Sequence, residues 1–301
     1  MTHTQYCNFG KEAWSILSDI ELSIKTKVES VGVPLKEWDV EIYRGVLTGY
    51  NDAFIINSEK RNEILENCAD DEERERTAAI IRPILRGRDI KRYGYDFAGQ
   101  YIIATFPSKH YNIDDYQALK SYLLTFGMER LEQTGKEYII NGERVKARKK
   151  TNNMWFETQD SINYWDEFSK PKIIYPNMTK FLPFVFDTKG FLTNQKCFIV
   201  TGEKLGFLTA FLNSSLFKFC FANKFPELQG KTRELSKIFM DEIPVISVSL
   251  DQEQSFATLV EDIQNDYTQE KAIRIDKLIF ELYGLNNDEQ SYIGFIDYGE
   301  S

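Results

Sequence analysis

The sequence predicts an α+β protein: a β-rich core with helices at the N-terminus and a long C-terminal helix. Three observations carry this. Apolar residues recur at helical spacing near both ends. Between them, short β-branched and aromatic runs alternate with glycine-marked turns. The charge is also partitioned. The whole chain of 301 residues is formally −9, yet residues 1–79 carry 9 basic and 16 acidic side chains, residues 80–240 carry 25 and 16, and residues 241–301 carry 3 and 14. A basic middle sits between two acidic ends. With 42% apolar and 28% charged residues the composition is globular, and the length suffices for a sizeable core.

Lys11–Ser30 places Ala13, Ile16, Leu17, Ile20, Ile24 and Val28 on one helical stripe, ending before Val31-Gly32-Val33-Pro34. From Val40 the runs Ala53–Ile56, Tyr101–Phe106, Lys172–Tyr175, Phe184–Phe186 and Cys197–Val200 read as strands. Helices interrupt them over Ser58–Cys68, Asp70–Ile80, Ile113–Arg130 and Lys204–Phe221, the last dense enough in Leu and Phe to be a buried core helix. Leu250–Tyr283 reads as one long acidic amphipathic helix closed by Gly284. The expected division is an N-terminal helical segment over 1–35, a β-rich body over 36–245 and an acidic helical tail over 246–301.

Several chemistries are excluded. Cys7, Cys68, Cys197 and Cys220 stand singly, and His3 and His110 are far apart, so no zinc-ligand spacing is visible and a histidine-dependent nucleophilic mechanism is disfavoured. No glycine-rich phosphate cradle of either common kind occurs. No Pro-Pro pair exists, which removes the N/D-P-P-Y/F signature of amino-methyltransferases. The longest apolar runs, such as Gly206–Leu212, are too short for a membrane span, and Met1–Gly10 has no signal-peptide core; the expected setting is the cytoplasm, with reduced cysteines and no membrane partner.

Three basic clusters are the candidate binding residues. Ile81–Tyr93 holds five cations against one anion, and Arg86-Gly87-Arg88 on a turn suits phosphates or guanine edges. The bland alternative pairs Arg82 or Arg88 with the acidic helix before it. The second cluster follows the hairpin signal Asn141-Gly142 and contains Arg144, Lys146, Arg148, Lys149, Lys150, Asn152 and Asn153, then Trp155-Phe156. This is the best candidate for a loop facing a nucleic acid; otherwise it is a solvated loop anchored by its aromatics. The third runs from Lys224 to Lys237 with Lys231 and Arg233 at its centre, a polar loop suited to a backbone contact. Arg86, Arg88, Lys146, Arg148, Lys149, Lys150, Asn152, Lys231 and Arg233 are therefore the nine contact candidates, with no catalytic residue and no metal ligand assigned.

Five stretches in order carry a family resemblance. Tyr43–Ile56 resembles the G-x-x-T-G-x-N-x-A-F motif that opens the C-terminal specificity domain of TaqI-like and Eco57I-like DNA adenine methyltransferases. Ile81–Tyr93 resembles the family's P-x-L-x-G-R-D-I-x-x-Y segment. Trp155-Phe156-Glu157 with Lys170–Pro176, then Leu212-Asn213-Ser214-Ser215-Leu216, then Ile275–Leu285 are similar to its later motifs, the last to the tail helix of type IIG restriction-modification proteins. The similarity covers roughly residues 36–290.

The resemblance implies a target recognition domain that reads double-stranded DNA. The methyltransferase domain, with its S-adenosylmethionine and its flipped adenine, is expected elsewhere, in the same polypeptide or in a partner subunit, with or without a nuclease domain. No cofactor is expected in this chain. Within the T-G-x-N-x-A-F segment, Gly45, Gly49, Thr48 and Asn51 are expected to build a turn rather than to read bases. Two competing classes are an Mg²⁺-dependent nuclease using Asp71, Asp89 and Lys91, and a protein-interaction module docking through the acidic tail.

Overall fold

The computed structural model describes residues 17–296, so the expectations for His3, Cys7 and the first turns of the predicted N-terminal helix lie outside the described residues. Helix α1 (Asp19–Val31) starts at a capping box in which Ser18 and Glu21 satisfy each other's backbone N–H groups, and it buries Ile24 and Val28. Strand β1 (Gly32–Pro34) pairs antiparallel with Pro244–Ile246 from the far end of the chain. Next come β2 (Val40–Arg44), the short α2 (Asn51–Phe54) and β3 (Ile55–Asn57). The strand expected over Ala53–Ile56 is thus half helix, because the tight turn at Thr48–Asn51 rolls directly into α2.

Helices α3 (Ser58–Glu66) and α4 (Asp71–Ile80) are capped by Asn57 and Asp70, whose side chains accept from Lys60 N and Glu73 N. After β4 (Ile81–Leu85), the short hairpin β5 (Ile90–Lys91) and β6 (Gly94–Tyr95), and β7 (Gln100–Ile103), the helix expected over 113–130 is broken. A 3-10 turn over Ile113–Asp115 precedes α5 (Gln117–Leu124), and Gly127 at φ +82° separates it from α6 (Met128–Leu131). The hairpin β8 (Glu137–Ile140) and β9 (Glu143–Lys146) turns on Asn141 and Gly142, both at positive φ as a two-residue mirror-image turn requires.

Strands β10 (Lys172–Pro176), β11 (Met178–Thr179), β12 (Val185–Asp187), β13 (Leu192–Thr193) and β14 (Cys197–Gly202) follow. The predicted core helix is two helices, α7 (Leu205–Leu212) and α8 (Ser215–Phe221), bent by 65° at Asn213-Ser214. Strand β15 (Arg233–Glu234), α9 (Lys237–Asp241) and β16 (Pro244–Ile246) lead to the tail. The single long helix expected over 250–283 is a pair, α10 (Leu250–Asn265) and α11 (Gln269–Leu282), with the chain leaving helical geometry at Asp266 and re-entering through the Thr268 cap; α12 (Asn287–Ile293) closes it. One apolar stripe runs through both helices, and periodicity alone does not reveal a turn of this kind.

Two four-stranded sheets form the centre, in the orders β12-β10-β14-β2 and β13-β4-β7-β3. Side-chain alternation places both between two cores. On β10, Ile173 and Tyr175 face the helical core while Ile174 faces the other sheet; on β14, Val200 and Phe198 face the helices while Cys197 and Ile199 face inward. On β7 the same split sends Ile102 toward the first sheet and Ile103 toward α3–α5. The result is four layers, helix–sheet–sheet–helix. Gly206 lets α7 approach α10 closely: a Cβ there would lie 2.6 Å from the Ala257 Cα. One core takes Ile24 from the N-terminal segment, Ile173 and Phe207 from the middle and Phe256 and Ile275 from the tail, so all three segments share it.

Among the described residues no single helix is long and apolar enough to cross a membrane, and the bent α7–α8 pair is interior.

Candidate nucleic-acid interface

The first cluster divides at its turn. Arg86 forms a two-point ion pair with Asp89, Nε and Nη2 each at 2.9 Å, while its backbone N–H donates to Asp89 Oδ2 at 2.8 Å. This closes the 3-10 turn Gly87–Asp89, so Arg86 serves the fold instead of lying free for a ligand. Arg88, at the apex, is exposed. Of the two residues expected to pair with α4, neither does so: Arg82 donates to Gly190 O at 3.2 Å, and Arg88 has no ion pair among the described residues.

Arg88 opens onto a cleft of about 780 Å³ whose charged lining among the described residues is basic: Arg88, Lys91, Arg92, Lys180, Lys218 and Lys231. The first and third sequence clusters therefore meet at one site. Arg88, Lys180, Lys218 and Lys231 are exposed. Lys91 pairs weakly with Asp96, 3.8 Å away and exposed. Arg92 is buried and committed elsewhere: Nε donates to Asn213 O at 2.9 Å, and Nη2 lies 3.5 Å from Asp276. Arg233 is also committed, to Phe225 O, Asn223 and Glu227. Lys180 and Lys218 carried no sequence signal beyond their type.

The floor of the cleft is the Leu212–Leu216 motif. Asn213 bridges Phe184 through its side chain, accepting from N at 3.1 Å and donating to O at 2.8 Å; Ser214 caps α8. Ser215 donates from N and Oγ to the buried Asp276 at 2.8 and 2.7 Å. Burial raises the Asp276 carboxyl pKa, opposed by Arg92 and Ser215.

The second cluster occupies the β8–β9 hairpin and the loop after it. Lys146, Lys149, Lys150 and Asn152 are exposed, and none makes an ion pair among the described residues. Arg148 corrects the sequence expectation. It is 2% exposed, and its guanidinium donates to the carbonyls of Leu131 (2.8 Å), Thr48 (2.9 Å), Glu157 (2.7 Å) and Trp155 (2.5 Å), 4.9 Å from the centre of the Phe54 ring. Burial, reinforced by Arg130, pulls its pKa down to about 10 against the pull of Glu157. A surface contact is not available to this side chain. Phe156 is buried and Trp155 packs edge-on against it, the anchoring role that was the bland reading.

The Thr48–Phe54 motif has the expected structural role. Thr48 Oγ1 donates to Asn51 Oδ1 at 2.7 Å, and Gly49 holds φ +77° where a Cβ would meet Gln159 Oε1 at 2.4 Å.

Two exposed cations missed by the sequence reading connect the clusters. Lys149 and Arg44 both act on Asp160, lowering a carboxyl pKa that burial raises. Arg44 Nε donates to Gln195 O at 3.3 Å, and the carbonyl of the next residue, exposed Lys196, lies 3.6 Å from where a Gly87 Cβ would stand. A basic path runs from Lys149 through Arg44 and Lys196 to Arg88 and the cleft.

The proposed nuclease triplet does not converge. Asp89 is held by Arg86, Asp71 sits in the first turn of α4, and no group of three or more His, Cys, Asp or Glu side chains among the described residues is arranged around a metal position.

A fold of this kind is found within larger restriction enzymes. The fold is similar to parts of the type IIG restriction endonuclease BpuSI (TM-score 0.51, 14% identity, covering 89% of this chain and 34% of that one) and of the type IIL restriction-modification enzyme MmeI, solved in complex with DNA (TM-score 0.54, 11% identity, covering 87% and 36%). The family model of the TaqI-like C-terminal specificity domain matches residues 82–245, and the chain belongs to that family. The type II methyltransferase M.PaeR7I of Pseudomonas aeruginosa is 22% identical over 294 residues, 95% of this chain and 45% of that protein. This chain thus spans less than half the length of that curated relative.

Proposed function

We propose that this chain recognises double-stranded DNA as the specificity portion of a restriction-modification adenine-N6 methyltransferase. The observation that carries the reading is the basic path: exposed cations without ion pairs among the described residues, collected from residues 44, 88, 149, 150, 180, 196, 218 and 231 in a chain of net charge −9. Lys and Arg so placed hold phosphates and release counterions, while exposed Asn152 beside Lys149 and Lys150 supplies a group able to read base edges. That its relatives are a methyltransferase and restriction enzymes supports placing a methyltransferase domain beside this one, in the same polypeptide or a partner subunit, and S-adenosylmethionine would belong to that domain.

The test is duplex DNA binding across a salt series, with the methyltransferase portion attached. Affinity falls steeply as salt rises. Absent or salt-independent binding by a folded sample sinks the reading.

A further inference from the structure

The last described residue forms part of the wall of the basic cleft. Gly294, at φ +68°, turns the backbone out of α12, and Phe295 stacks on Phe280 with ring centres 5.9 Å apart. Ile296 then lines the cleft. Its backbone is fixed there: the N–H donates to Ser215 Oγ at 3.0 Å, and the carbonyl accepts from Gln269 Nε2 at 2.7 Å. Ser215 opens α8, and Lys218 follows three positions later on the same face of that helix. The chain therefore leaves Ile296 close to exposed Lys218, at a cleft that also holds exposed Arg88, Lys180 and Lys231.

The sequence continues as Asp297-Tyr298-Gly299-Glu300-Ser301, with two anions and no cation. At about 3.3–3.6 Å per residue, Glu300 can reach up to about 14 Å from Ile296, a length that spans a cleft of about 780 Å³. Four like charges gathered at one cleft repel one another, and none of the four has an ion pair among the described residues. A tethered anion meets them at an effective concentration on the order of millimolar. We propose that residues 297–301 dock in the cleft as an internal counter-anion, which a DNA phosphate has to displace. The docking stands apart from the DNA-binding reading above; the displacement rests on it. The consequence is a penalty on DNA that meets the cleft alone, without the loop bearing Lys149, Lys150 and Asn152.

The experiment compares the full wild-type chain with Asp297→Asn/Glu300→Gln. A control, Asp251→Asn/Glu261→Gln on α10, changes the net charge equally. The first readout needs no DNA: lysines are labelled with an amine-reactive ester and mapped by mass spectrometry. Lys180, Lys218 and Lys231 are expected to label about two- to fivefold faster in the 297/300 variant, with Lys149 and Lys150 unchanged. The second readout is anisotropy with a duplex at low salt. The same variant is expected to bind about fivefold more tightly, by a margin that shrinks as salt rises. Equal labelling, equal DNA affinity of two proteins that both bind, or effects matched by the control overturn the proposal. Faster labelling with no DNA binding by either folded protein removes the DNA reading and the displacement, and leaves the docked segment standing.

Discussion

Arg148 Nη1 donates to the carbonyl of Thr48 at 2.9 Å, joining residues one hundred positions apart. Through this bond and those to Leu131, Trp155 and Glu157, one guanidinium ties the loop bearing Lys149, Lys150 and Asn152 to the turn that opens the sheet region. The exposed cations of that loop owe their placement to a neighbour that is not exposed.

Arg148 and Lys149 are adjacent and are expected to behave oppositely. Arg148→Ala leaves buried carbonyls without their donor and lowers stability by about 3 kcal/mol or more. Lys149→Ala changes the unfolding free energy by less than about 0.5 kcal/mol, and it weakens DNA binding. Urea unfolding of both variants checks the contrast; equal stability would mean that the Arg148 network contributes nothing.

The basic path makes a graded prediction. Substituting Arg44, Lys196 or Lys218 by Gln each reduces the slope of log affinity against log salt by about 1, with binding weakened similarly on all sequences. Asn152→Ala is expected to change sequence preference more than the slope. A slope unchanged in the Lys196 variant would break the link between the two clusters.

Asp276 holds the α7–α8 bend by accepting from Ser215 N and Oγ, and it faces Arg92. Asp276→Ala removes the buried acceptor of two Ser215 donors and the carboxylate beside Arg92, and is expected to cost about 3 kcal/mol. Asp276→Asn retains part of the hydrogen bonding and costs less. Thermal unfolding orders the three proteins.

Glu289 docks α12 on α1. Burial alone would raise its carboxyl pKa, but hydrogen bonds from Lys27, Ser23 and the backbone of Asn286 outweigh burial and hold it below the ordinary 4.5. A depressed carboxyl contributes stability that is present above the unfolded pKa and lost as pH falls through the folded one. Wild type is therefore more stable than Glu289→Gln at pH 7, by about 1–2 kcal/mol, and the difference shrinks below pH 4.5. Urea midpoints measured from pH 7 to pH 3 give the comparison, and a gap that widens in acid contradicts it.

How far the sequence reached depended on the range of the forces involved. Asn141-Gly142 announced its hairpin because two positive φ angles are a local demand. The helix starts near Ser58 and Asp70 and the strands over Lys172–Tyr175 and Cys197–Val200 were legible for the same reason. The helices over 113–130, 204–221 and 250–283 were located but not their breaks: an apolar stripe continues across Gly127, Ser214 and Asp266, and only the packing of each half on a different neighbour shows the turn.

By itself the sequence determined the α+β class, the position of most elements and the basic character of residues 80–240. Tertiary structure decided what each cation is for. It buried Arg148 and Arg92, paired Arg86 and Arg233 within their own turns, and gathered Arg88, Lys180, Lys218 and Lys231 around one cleft. The reason is physical: charge is a property of a residue, whereas exposure and pairing are set by whichever distant segments fold against it. A buried guanidinium persists only where carbonyls from remote parts of the chain converge on it, and no stretch of sequence states that convergence.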